Sequence, residues 1–124
     1  MLILSQYIAK HELMPLYQYF SIKDVIDGAK KVIKGLGQQI SPSKAYKSFR
    51  FFKVRIGSST KGRMIVFVLT ENQKVVPLLI RLKKDKKMGM NMAANNPNVV
   101  TQIDKNLEQV IKDIENGHFE KFEL

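Results

Sequence analysis

Cysteine is absent from the 124 residues. That excludes a thiol nucleophile, a disulfide framework and any cysteine-based zinc site. It also fits a reducing cytoplasm, the expected location. Long apolar runs are missing too. None approaches the ~18 residues a membrane helix needs, so no membrane partner is expected. Met1 to Tyr7 has neither the basic start nor the long apolar stretch of a secretory signal. The chain reads as a soluble, intracellular protein. It carries no repeat and no low-complexity linker, and its length suits one domain, residues 1–124. A chain of that size can bury a core without disulfides or metals.

Acidic residues are scarce in one place. The formal net charge is +10, but residues 44–87 alone hold thirteen basic side chains against Glu71 and Asp85, a net +11. Residues 1–43 carry +2 and residues 88–124 carry −3. Such a block repels itself in the folded state, and a polyanionic partner relieves that repulsion. A solvated lysine-rich face is the bland alternative. The concentration of charge in the middle third favours nucleic acid.

Hydropathy patterning outlines the fold. Leu2 to Leu4 suits a short first strand. Tyr7 to Phe20 suits one or two helical turns, limited by Pro15. Ser21-Ile22-Lys23-Asp24 has the form of a capping box. Behind it, Ile22, Val25, Ile26, Ala29, Val32, Ile33 and Leu36 recur at helical spacing, and Gly35 and Gly37 are candidate terminators. Phe49 to Ile56 alternates, with Phe51, Lys53 and Arg55 on one face and Phe52, Val54 and Ile56 on the other. Arg63 to Thr70 is almost continuously apolar, as in a central strand. Val75 to Leu82 forms a third run, where Pro77 favours an edge or a bulge. Short polar turns join these runs into an antiparallel meander. Asn96-Pro97 opens a last helix with Val100, Ile103, Leu107, Val110, Ile111 and Ile114 on one stripe, and Gly117 ends it. The predicted class is α+β: a short N-terminal strand and helices, an antiparallel sheet of three to four strands, and a C-terminal helix.

The alternation puts Lys53 and Arg55 on one strand face, with Arg63 across the hairpin. The Lys83 to Lys87 cluster ends the third strand. If the strands are neighbours, cations line one end of the sheet, with Phe51 beside them. Cations can hold a phosphodiester and stabilise the charge that develops on it, and an RNA 2′-hydroxyl can supply the nucleophile. No metal or other cofactor is expected, because no acidic cluster with ligand spacing falls on the sheet. His11 and His118 lie outside the basic block, and His118 reads as a helix cap or surface residue. Asp104, Glu108 and Glu115 read as the solvated side of the last helix. Met88, Met90 and Met92 read as core filling. Tyr46 is the nearest phenol to the basic strands.

Three segments carry a family resemblance: Ser48-Phe-Arg-Phe-Phe-Lys53-Val-Arg55-Ile-Gly57, then Lys61-Gly-Arg63-Met-Ile-Val-Phe67, then Val75 to Ile80 followed by Lys83-Lys-Asp-Lys86. Their order resembles the RelE/ParE toxin superfamily, over about residues 2–92, with residues 96–117 as a helical extension. The resemblance implies a RelE-like fold and the toxin of a toxin–antitoxin pair, in many members an endonuclease acting on ribosome-bound mRNA. It implies that Lys53, Arg55 and Arg63 hold and activate the phosphate, and that Lys84 or Lys86 stabilises the transition state or the leaving group. Lys44, Lys47, Arg50, Lys61, Arg81, Lys83, Lys86 and Lys87 would then contact RNA, and a small acidic antitoxin would be a second partner. Ribosome-dependent members often carry a Tyr or His shortly after the last basic motif, where this chain reads Met88-Gly-Met-Asn-Met92. Two other readings therefore stay open: a ParE-like inhibitor of a topoisomerase, and a catalytically silent RNA-binding domain.

Overall fold

The computed structural model describes residues 1–42, 49–57, 61–69, 73–88, 92–93 and 95–124. Strand β1 (Leu2–Ser5) runs into one continuous helical segment that begins as α1 (Gln6–Ile8), widens at Ala9–Leu13 and tightens at Met14–Leu16. Helix α2 (Ile22–Ile33) follows, then β2 (Gln38–Ile40), β3 (Phe49–Ile56), β4 (Gly62–Leu69) and β5 (Lys74–Leu82), helix α3 (Pro97–Glu115) and β6 (Phe119–Phe122). The strands form one sheet in the order β2-β3-β4-β5-β1-β6. Among the described residues, no helix is long and apolar enough to cross a membrane.

The class is α+β, as the sequence implies, with two corrections. Among the described residues the sheet has six strands, and it is mixed, because β1 runs parallel to β5 with Leu2 opposite Val75. The other pairings are antiparallel. The meander itself forms as read. Pro77 lies at a bulge, where Ile65 faces Leu79 and Val66 faces Pro77, but β5 is an interior strand and not an edge. A bulge accommodates the missing proline donor within the sheet.

Helix α2 begins with the predicted capping box: the Asp24 carboxylate accepts from the Ser21 backbone N–H at 2.9 Å. Its buried stripe is Val25, Gly28, Ala29 and Val32. Gly28 is small because the sheet requires it. A Cβ there would lie 2.6 Å from Ile56 Cγ2 and 2.9 Å from Met64 Cε, so α2 packs directly on β3 and β4. The predicted stripe runs too far, since Ile33 and Leu36 are exposed. Helix α3 buries Val99, Ile103, Asn106, Leu107 and Val110 against β5, β1 and α1. Val99 takes the inner position instead of Val100. Helix α3 is thus part of the core. Met88 and Met92 are buried, as core filling requires.

Strand β1 ends before it can cover the second half of β5. Two buried side chains complete that edge. The Glu12 carboxylate accepts from the Ile80 backbone N–H at 2.8 Å, and the Asn106 amide donates to the Leu78 carbonyl at 2.7 Å. Unpaired buried backbone groups are costly, so these two contacts stand in for a strand. Glu12 also receives Arg81 Nε at 3.1 Å and Nη2 at 2.8 Å. Removing one partner from a buried ion pair leaves the other charge and the N–H without compensation. We expect Glu12→Ala to lower the unfolding free energy by about 3–5 kcal/mol, read by denaturant unfolding. A loss below about 1 kcal/mol would show that the edge is held otherwise.

Candidate phosphate-binding cleft

The register of the meander assembles the basic residues. Arg55 on β3 faces Arg63 on β4, and Arg63 faces Arg81 on β5. Directly paired residues share a sheet face, so three guanidinium-bearing positions form one row across three strands. Lys53 lies two residues along β3 on the same face, opposite Gln38 of β2. This row sits at the end of the sheet where β3 turns into β4. There the Lys83 backbone N–H donates to the Lys61 carbonyl at 2.7 Å.

Three of these cations share an open cleft of about 580 Å³. Lys53, Arg55 and Arg63 line it together with Val54, Lys31, Leu36 and Gln38. Lys31, from the last turn of α2, donates to the Arg55 carbonyl at 3.2 Å and so ties the helix end to the strand. Among the described residues lining the cleft, four are basic and none is acidic, imidazole or phenol.

The local environment already opposes this concentration of charge. Arg63 is only 5% exposed. Burial lowers its pKa, and the neighbouring charge of Arg55 lowers it further. Arg63 Nη1 donates to the Gly62 carbonyl at 2.9 Å, which fixes its fork in the sheet. Burial likewise lowers the Lys53 pKa, with Arg63 adding to the effect. Arg81 differs. Burial works against its charge, but the Glu12 hydrogen bonds and charge, with Asp85 and Tyr7, outweigh that and raise its pKa.

The sequence-predicted residues therefore divide. Lys53, Arg55 and Arg63 come together as expected. Arg81 completes the row but is committed to Glu12, with Asp85 at 4.0 Å. Lys84, Lys86 and Lys87 are exposed in the turn after β5, and Lys83 is half-buried there. None of them lines the cleft. Asp85 shapes that turn by accepting from the backbone N–H groups of Lys87 and Met88 at 2.8 and 2.9 Å. Arg50 is exposed on the opposite sheet face, 5.8 Å from the Phe52 ring centre. Lys61 is exposed at the sheet end. Lys44, Lys47, Tyr46 and Met90 lie outside the described residues. Phe51 does not flank the cations as an exposed ring. It is buried, 6.5 Å from Phe67.

Sequence reasoning did not identify Lys31, Leu36 and Gln38 as site residues. Lys31 reads as a cation in a helix's last turn, which favours the helix dipole. Only the packing of α2 on β3 brings it to Arg55. Neither a known family model, a curated protein nor a solved structure matches this chain.

The lowered Lys53 pKa has a consequence for stability. A lysine whose pKa is lower folded than unfolded destabilises the fold while charged, and stability rises as pH climbs through the folded value. We expect Lys53→Met to be more stable than wild type at neutral pH. The gap should narrow at alkaline pH and at high salt, where Arg63 is screened. Thermal unfolding across pH checks this. A less stable variant at every pH would contradict the repulsive environment.

Proposed function

We propose that this protein binds RNA through the cationic end of its sheet and cleaves it as an endoribonuclease of the toxin type. One observation carries this reading. The Arg55–Arg63 cross-strand pair, Lys53 and Lys31 surround a single cleft. A guanidinium presents a planar fork to two phosphate oxygens, and an ammonium acts as a point charge. Together they can grip a phosphodiester and stabilise the added charge of its transition state. The adjacent RNA 2′-hydroxyl attacks phosphorus and the 5′-oxygen leaves, so the protein supplies no nucleophile. Lys53, whose pKa is lowered by burial and by Arg63, is the cleft group best suited to exchange a proton. In this reading the remaining basic surface, including Lys61, Lys83, Lys84, Lys86 and Lys87, tracks the flanking phosphates. The same surface suits a small acidic antitoxin.

A catalytically silent RNA-binding domain is the second reading. The make-up of the cleft favours it, because the described lining residues include no carboxylate, imidazole or phenol to assist Lys53.

Two measurements separate the readings. With about three phosphates neutralised, single-stranded RNA affinity should fall roughly tenfold to twentyfold between about 50 and 200 mM salt. A flat response would remove both. Primer-extension mapping of cellular mRNAs after induced expression then detects cleavage. We expect Arg55→Ala, at an exposed position, and Arg63→Lys, which keeps the charge but loses the fork, each to reduce cleavage by roughly 10²–10³. Salt-dependent binding without any cleavage would leave the silent reading.

A further inference from the structure

The lining of the cleft is not cationic throughout. Helix α2 ends in a glycine-dependent motif. The Gly35 N–H donates to the Val32 carbonyl at 3.0 Å and the Leu36 N–H to the Lys31 carbonyl at 2.9 Å. Gly35 has φ +80°, a conformation glycine adopts without penalty. In this motif the residue after the glycine ordinarily packs back on the last helical turn. The residue at that place on the turn is Lys31, and Leu36 is left 70% exposed on the cleft wall. Gly37 then passes close to the sheet. A Cβ there would stand 3.3 Å from Val32 Cγ2 and 3.5 Å from Phe52 Cβ. That close passage pins the chain between Leu36 and Gln38. Gln38 is exposed and faces Lys53 across the β2–β3 pairing.

An exposed leucine and an exposed amide thus line the same cleft as the cations, held by backbone geometry. Phosphate alone uses neither. A nucleobase uses both: its apolar face lies against an aliphatic side chain, and its polar edge meets an amide that both donates and accepts. In a duplex the base faces are stacked and the pairing edges occupied, so such a wall reads only an unpaired nucleotide.

We propose that Leu36 and Gln38 form a base subsite, so that the cleft selects single-stranded RNA. One nucleotide is splayed into it, with the phosphate toward Lys53, Arg55 and Arg63 and the base between Leu36 and Gln38. This rests on the RNA reading above and adds the substrate class and two specificity residues.

The test is fluorescence anisotropy with 2′-O-methyl RNA, which lacks the nucleophile. Wild type, Leu36→Ser and Gln38→Ala are each measured against one sequence as a single strand and as a duplex, and against homopolymers of each base. Both side chains are exposed, so the variants retain the fold. Wild type should prefer the single strand. Leu36→Ser should weaken single-strand binding about fivefold, the low end for a base contact, while keeping the wild-type salt slope. Gln38→Ala should flatten the differences among homopolymers. Equal wild-type affinity for single strand and duplex, or variants that keep the wild-type preferences, would overturn the subsite while RNA binding stands. A wild type that binds neither RNA would instead remove the RNA reading.

Discussion

The Glu12 carboxylate is 2% exposed and takes three hydrogen bonds, from the Ile80 backbone N–H and from two nitrogens of Arg81. A buried carboxylate is tolerable only when its lone pairs are engaged and its charge is matched. Both conditions are met by β5 alone. Meeting them places the helical segment after β1 on the part of β5 that β1 does not reach. Asn106 of α3 meets the same strand at the Leu78 carbonyl. The two side chains thus hold the N-terminal helical segment and the C-terminal helix on one strand, and the sheet remains an interior structure along β5. Among the described residues, no buried side-chain polar atom lacks a partner.

The same ion pair shapes the electrostatics of the cleft. Three arginine positions in adjacent strands of one row would repel strongly at low dielectric. Glu12 matches the charge of Arg81, while Arg55, Arg63 and Lys53 line the cleft. Burial and a neighbouring cation work against the charge of Arg63 and of Lys53. Such a concentration of like charge is what the proposed anion site needs. Helix α2 completes it from the other side, because Gly28 allows close approach to Ile56 and Met64. That approach carries the helix end, with Lys31 and Leu36, to the cleft.

Much of this was legible beforehand for local reasons. The alternation of Phe51, Lys53 and Arg55 against Phe52, Val54 and Ile56 is a property of any extended strand, and the hairpin register kept Lys53, Arg55 and Arg63 on one face. The Ser21–Asp24 box and Asn96-Pro97 mark helix starts through their own side chains and backbone. Strands β2 and β6 were not legible. They are edge strands of three and four residues, too short for a period to register, and they exist because β3 and β1 offer them unpaired backbone. The extent of the α2 stripe was misjudged because Leu36 has helical spacing but follows Gly35, which turns the chain away from the core.

Composition and period alone determined that this chain folds as an α+β domain, that its central strands form a meander, and that its positive charge falls on that meander. These follow from side-chain spacing and short turns, which involve neighbours in sequence. Tertiary structure alone decided which cations act together. Arg81 and Arg63 face each other across β4 and β5, yet one is bound to a carboxylate 69 residues away in the chain and the other lines a cleft. Lys31 and Gln38, unremarkable in sequence, join that cleft because a helix packs on a strand. The parallel placement of β1 on β5 was likewise invisible, since it pairs residues more than seventy positions apart and no local pattern records such a partner.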